Sequence, residues 1–107
     1  MSKLTDELEA QLRSQHGDLV IARTPKHGDL AFKCPTDTDH EEFQEAVTKA
    51  KTHKSAAVRQ YVLSCLVFPK REEAAEVFSK LPALPPTLAD KLSDLAGADI
   101  ELNVKKG

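Results

Sequence analysis

The chain has 107 residues, 15 lysines and arginines against 17 aspartates and glutamates, and a formal charge of −2. That length suits one domain, and a balanced charge with no long basic block argues against nucleic acid as the main partner, because phosphate binding needs a face of several neutralising cations. Aromatics make up only 5% and tryptophan is absent, so the core must rest on leucine, valine and alanine, which suits helices packed with a small sheet.

Residues 3–15 place Leu4, Leu8 and Leu12 four apart among polar residues, which predicts an amphipathic helix with a narrow apolar stripe. Gly17 is its expected stop. The charged start MSKLTDELEA lacks the basic stretch and apolar run of a secretory signal, and no apolar run approaches the roughly 18 residues a membrane span needs. Membrane partners are therefore not expected.

The period then changes. Leu19–Arg23 and Leu30–Lys33, separated by Thr-Pro-Lys-His-Gly-Asp, read as a β-hairpin with a longer loop in which Pro25 fixes φ and Gly28 permits φ > 0. A lone hairpin is marginal in water, so it must pack on helices or find a third strand, from this chain or another. The Cys34-Pro35 pair ends the second strand. Thr38-Asp39-His40-Glu41 has the form of a capping box, with Thr36 as a competing cap, and opens a helix to about Lys51 whose apolar face carries Phe43, Ala46, Val47 and Ala50.

Ser55 opens the next helix, in which Val58, Tyr61, Val62, Cys65 and Leu66 recur at three and four residues until Pro69. It is the expected central helix. Arg71–Lys80 predicts a shorter helix that buries Ala74, Ala75, Val77 and Phe78. The stretch from Leu81 to Pro86 is too rich in proline to continue it. Thr87 is the expected cap of a last helix through Leu88, Leu92 and Leu95, with Gly97 as its stop. After Ala98, the alternation of Ile100, Leu102 and Val104 suits a tail or an edge strand.

The expectation is thus a single α+β domain over residues 1–107, mostly helical with four to five helices and one N-terminal β-hairpin. It divides into an N-terminal helix (1–17), the hairpin (18–34), a helical core (35–97) and a tail or edge strand (98–107).

The string His-Gly-Asp occurs twice, at residues 16–18 and 27–29. His16, Asp18, His27 and Asp29 offer metal-ligand chemistry, yet each Gly-Asp falls where the backbone must turn, and Asp after Gly is common turn chemistry. Turn punctuation is the simpler reading, and no metal or cofactor is expected. Cys65 as a nucleophile, with His40 or His53 as base, would need a depressed thiol pKa. Its neighbours Val62, Leu66 and Val67 imply the opposite, a buried and inert thiol, and Tyr61 reads as a core residue whose hydroxyl reaches the surface. Cys34 carries no mark of activation, and the two cysteines make neither a disulfide framework nor a zinc spacing, as suits a reduced cytoplasmic protein. Glu41-Glu42 and Glu72-Glu73 each sit at a helix start, where negative charge is favoured. The basic cluster Lys49, Lys51, His53, Lys54 and Arg59 reads as a solvated helix junction. Catalysis is not expected. Leu81, Leu84 and Leu88 around three prolines form either a stiff connector packed on the core or an apolar ridge for a partner.

The order of elements resembles the tail assembly chaperones of long-tailed bacteriophages. The likeness spans residues 28–97 and lies in DLAFKCP (29–35), TDTDHEEFQEA (36–46), VRQYVLSCLVFP (58–69) and LSDLAG (92–97). It implies a non-enzymatic protein of the infected or lysogenic bacterial cytoplasm that holds the tape measure protein and assists polymerisation of the tail tube protein around it. Self-association through edge strands fits that expectation, with Leu81, Leu84 and Leu88 as expected contacts. A small adaptor or regulatory protein-binding domain is the alternative.

Overall fold

A computed structural model describes residues 3–49 and 54–98. Helix α1 spans Asp6–His16, strand β1 Leu19–Thr24, β2 Gly28–Lys33, α2 Asp37–Lys49, α3 Lys54–Ser64, β3 Leu66–Phe68, α4 Arg71–Lys80 and α5 Leu84–Ser93, and a wide π-type turn, Asp94–Ala98, ends it. This is an α+β fold, mostly helical, with the hairpin near the N-terminus. The sequence-level expectation lacked β3. The three strands form an antiparallel sheet in the order β1-β2-β3.

The sheet is the middle of three layers, because alternate side chains of β2 point to opposite faces. Leu30 and Phe32 enter a cluster with Tyr61, Val62, Cys65, Ala74, Val77, Phe78, Leu88, Ala89 and Leu92. Ala31 faces the other way, into a cluster with Leu4 and Leu12 that Leu8, Leu19, Ile21, Val67 and Phe68 flank. Thus α1 covers one face of the sheet and the helices after β2 cover the other. The leucine stripe supplies the first contact, although Leu4 precedes the helix: Thr5 caps it, its side chain accepting the Leu8 N–H at 3.2 Å. Gly17 closes it at φ +80 and donates to the Arg13 carbonyl at 2.8 Å.

The hairpin loop is shorter than expected. Thr24 pairs with Gly28, which leaves only Pro25, Lys26 and His27 to turn, and Gly28 at φ +89 takes the left-handed conformation that such a loop needs. The Thr24 hydroxyl donates to the Gly28 carbonyl and ties the turn.

Three boundaries differ from expectation. The apolar run after Ser55 is not one helix to Pro69: α3 ends at Ser64 and the next residues become β3. The Ser64 hydroxyl donates to the Tyr61 carbonyl at 2.6 Å, the acceptor a continuing helix would offer to Cys65, and the Cys65 N–H bonds Val62 instead at 3.1 Å. The Cys65 carbonyl then accepts the Lys33 N–H at 2.8 Å, so the freed chain completes the ladder of β2. Second, Thr36 caps α2 and Thr38 does not. The Asp39 N–H donates to Thr36 Oγ1 at 3.2 Å while Asp39 Oδ2 accepts the Thr36 N–H at 3.0 Å, a capping box closed by Asp rather than by Glu41. Third, α5 begins before Thr87, with prolines in its first turn, where their missing N–H groups would have no helical partner anyway. Thr87 lies inside the helix and its hydroxyl donates to the Ala83 carbonyl at 3.0 Å.

Helix α4 occupies the expected residues, with Glu72 and Glu73 in its first turn, and Gly97 takes φ +114 as the expected stop. The expected tail or edge strand, from residue 99 on, lies outside the described residues, as do Lys51 and His53 of the basic cluster.

Candidate functional site

Where the first turn of α2 meets the end of α5, a cleft of about 400 Å³ opens, lined by Pro35, Thr36, Asp37, His40, Glu41, Ser93, Ala96 and Gly97. Pro35 ends β2 and aims the chain into α2, and the capping box fixes that helix's first turn. The wide turn after Ser93 forms the opposite wall. The two walls meet at Cys34, whose thiol lies 3.8 Å from the Leu95 carbonyl.

Behind the cleft, two buried polar atoms have no hydrogen-bond partner of good geometry among the described residues: His40 Nδ1 and the Tyr61 hydroxyl oxygen. Tyr61 is 2% exposed, so its hydroxyl does not reach the surface as expected; the α2 side chains close over it. Phe43 stacks on its ring at a centroid distance of 4.3 Å and 17° between planes, and His40 meets it edge-on at 6.4 Å. Burial pushes the Tyr61 phenol above its ordinary pKa, with Ser93 opposing the rise. On the other side of the His40 ring, Nε2 lies 3.1 Å from Gln44 Nε2. An amide nitrogen only donates, so with this amide orientation Nε2 accepts and Nδ1 carries the proton.

The His-Gly-Asp repeats do not converge. His16 precedes β1 and His27 lies in the hairpin turn at its far end, and six residues of strand separate them by roughly 20 Å. Asp29 is committed elsewhere: its Oδ2 accepts the Leu4 N–H at 2.8 Å and pairs with Arg23 at 3.3 Å. Both glycines take positive φ, the turn role expected. Among the described residues, no group of three or more His, Cys, Asp and Glu is placed to hold a metal ion.

Cys65 is fully buried, and burial pushes its thiol up to about 11, the direction expected. Its sulfur meets Ser64 Oγ at 3.9 Å rather than an imidazole. Such a thiol is not an activated nucleophile.

Of the three leucines expected to meet a partner, Leu88 is 4% exposed and belongs to the core. Leu81 and Leu84 are half-buried and pack against the same cluster, with Pro82 and Ala83 exposed between them. The connector reading thus holds for Leu88, and a partly exposed ridge remains at Leu81 and Leu84. The cleft itself was not foreseen, because its walls are more than 50 residues apart in sequence and no spacing links them.

The fold defines the class first: a small, mostly helical α+β domain built around a three-stranded antiparallel sheet. The chain belongs to the family described as domain of unknown function DUF6848, whose profile matches residues 20–105. The match takes in the sheet from Val20 and all of α2–α5, while α1 lies outside it. No curated protein matches the chain. A similar solved structure is that of the uncharacterised protein rbstp2171 from Bacillus stearothermophilus, at 20% identity and a TM-score of 0.71 over 91% of this chain and 99% of that one. The likeness shows the fold. Among the described residues no helix is long and apolar enough to cross a membrane.

Proposed function

We propose that the protein works by binding other proteins rather than by catalysis, as a phage tail assembly chaperone that holds the tape measure protein in the host cytoplasm while the tail tube protein assembles around it. The resemblance over residues 28–97 motivates the particular assignment. Its strand-and-proline, capped helix with Phe43 and final Leu-Ala-Gly stop all have counterparts in the fold. Its apolar helix ending in proline does not, since that segment divides into α3 and β3.

The observation that carries protein binding is the Leu81–Leu84 ridge. Two leucines stay half-buried beside an exposed proline and alanine, on a turn anchored from below by Leu88. A rigid apolar ridge of this kind can cover the apolar face of a long helical client. The outer edges of β1 and β3 have no strand partner among the described residues, which supports self-association as part of the same reading.

The test is co-expression with a long helical tape measure protein encoded beside this chain's gene. The expected result is a client that stays soluble and co-purifies, with a Leu81→Ser, Leu84→Ser double variant losing the effect. A client that precipitates as it does alone, or the lack of such a neighbouring gene, overturns the chaperone reading. The adaptor reading then takes its place, favoured by the acidic cleft beside α2.

A further inference from the structure

The outer edge of β1 is an open strand-pairing surface. Lys33 donates its N–H to the Cys65 carbonyl on the β3 side, so its partner Leu19 turns its own N–H and C=O away from β2, and the alternation of an antiparallel ladder does the same for Ile21 and Arg23. Val20, Ala22 and Thr24 face β2. The outward groups of β1 have no strand partner among the described residues. Edge strands are ordinarily blunted by short length, proline, bulges or lysines. β3 has such protection, with three residues, a register shift in its pairing and Pro69 directly after it. β1 runs for six residues in unbroken register, and Arg23 is its one charged residue. Leu19, Val20, Ile21 and Ala22 are apolar toward both faces and only half-buried, whereas Leu30, Ala31 and Phe32 of β2 are at most 1% exposed. This edge lacks cover.

The described chain ends beside the place where a covering strand has to start. Helix α5 packs on β1, and the Leu95 carbonyl after it lies 3.8 Å from the Cys34 thiol. Cys34 follows Lys33, the partner of Leu19, so residue 98 leaves the helical layer at the Leu19 end of β1. From there, residues 99–104 number as many as β1 itself, and six residues of extended chain span roughly 20 Å. Their sequence alternates Asp99, Glu101 and Asn103 with Ile100, Leu102 and Val104, the period of a strand with one covered face. The family match takes this stretch in as well, running to residue 105.

We propose that residues 99–105 dock on the outer edge of β1 of their own chain as a fourth strand, parallel to β1, and so act as its edge guard. The direction follows from the exit at the Leu19 end. While the segment is paired, β1 offers no ladder to a second copy, and self-association through β1 requires the segment to leave. The Leu81–Leu84 ridge plays no part in this, so the test stands whether or not the chaperone reading survives.

The experiment is amide hydrogen exchange of the full chain, followed residue by residue by ¹H–¹⁵N NMR. The outward amides of Leu19, Ile21 and Arg23 are expected to exchange at least about tenfold more slowly than unpaired amides, most of all at the central Ile21. A triple variant, Ile100→Ser, Leu102→Ser and Val104→Ser, is expected to lose that protection while Val20 and Ala22, whose amides face β2, keep theirs and report that the sheet is intact. Overhauser contacts are expected from Ile100 to the Leu19 end of β1 and from Val104 to the Arg23 end. Free exchange at Ile21 in the full chain, or protection that survives the triple variant, overturns the proposal. Protection that grows with protein concentration overturns it in favour of a second copy on this edge, and Overhauser contacts in the reverse order overturn the parallel direction.

Discussion

Asp29 holds Leu4 across 25 residues of sequence: its carboxylate accepts the Leu4 N–H at 2.8 Å. The same oxygen pairs with Arg23, which also reaches Glu9 of α1 at 3.2 Å. The second His-Gly-Asp thus has a mechanical use, fastening the segment that leads into α1 to the hairpin. Asp29→Ala leaves a part-buried N–H without its acceptor and is expected to lower stability by about 1–2 kcal/mol. Hydrogen exchange should show the loss concentrated in α1, and a drop spread evenly over the sheet and helices would contradict this role. Zinc or manganese in excess is expected to leave the melting temperature unchanged, since no metal-binding cluster exists among the described residues to link binding to unfolding.

Phe43 and Tyr61 explain how α2 stays on the molecule. No residue of α2 is fully buried, so its attachment depends on half-buried side chains, and the stacked pair is the largest of them. Offset aromatic pairs contribute about 0.5–1.5 kcal/mol beyond the area they bury. Phe43→Ala is therefore expected to destabilise by about 2 kcal/mol, and Phe43→Leu by less. Thermal melts of the two variants check the order. In the same variants the Tyr61 ring should become accessible to solvent quenchers of its fluorescence.

Much of this architecture is legible in the residues. The four-residue leucine spacing marks the face of α1 that meets the sheet, Gly17 and Gly97 mark helix exits, and α4 reads directly from the three- and four-residue spacing of Ala74, Val77 and Phe78. Elsewhere two physical solutions fit the same string. Cys65–Phe68 is apolar enough for a buried helix or a buried strand, and what decides is tertiary: β2 lacks a neighbour on that side, and Ser64 removes the carbonyl that a further helical turn needs. Thr36 and Thr38 both have acidic residues three places on, and only the exit direction set by Pro35 separates them. Pro85 and Pro86 bar the continuation of α4, whereas in the first turn of α5 they are compatible with helix. The cleft was out of reach because His40 and Ser93 are brought together only by tertiary packing of α2 and α5.

Cys65 gives the fold a defined alkaline limit. Its thiol has a folded pKa of about 11 against an ordinary 9.0, chiefly because burial disfavours the thiolate. The folded state thus holds the proton more tightly than the unfolded chain. The associated stability is fully present below about pH 9 and is lost as pH rises through about 11. The Tyr61 phenol, also raised by burial, acts in the same direction. Melting temperature measured from pH 7 to 11 should fall above pH 9, and Cys65→Ala should be less stable at pH 7 but show a shallower fall. An equally steep fall in that variant would assign the transition to other groups.

Leu88 and Leu84 sit one helical turn apart on α5 and should respond to mutation in opposite ways. Leu88 is 4% exposed and surrounded by the main cluster, so Leu88→Ala removes methyl groups from a packed interior and is expected to destabilise by about 2–4 kcal/mol. That is a large share of the stability of a domain this size. Leu84 is half-buried at the start of the helix, where the neighbouring structure can relax into the space, and Leu84→Ser is expected to lower stability by about 1 kcal/mol or less. If the ridge binds a client, Leu84→Ser should still reduce client solubility in co-expression while the variant's own melting curve stays near wild type. Leu88→Ala should reduce both together. Should Leu84→Ser unfold the protein as readily as Leu88→Ala, the ridge is part of the core, and a partner surface must be sought on the sheet edges or in the cleft instead.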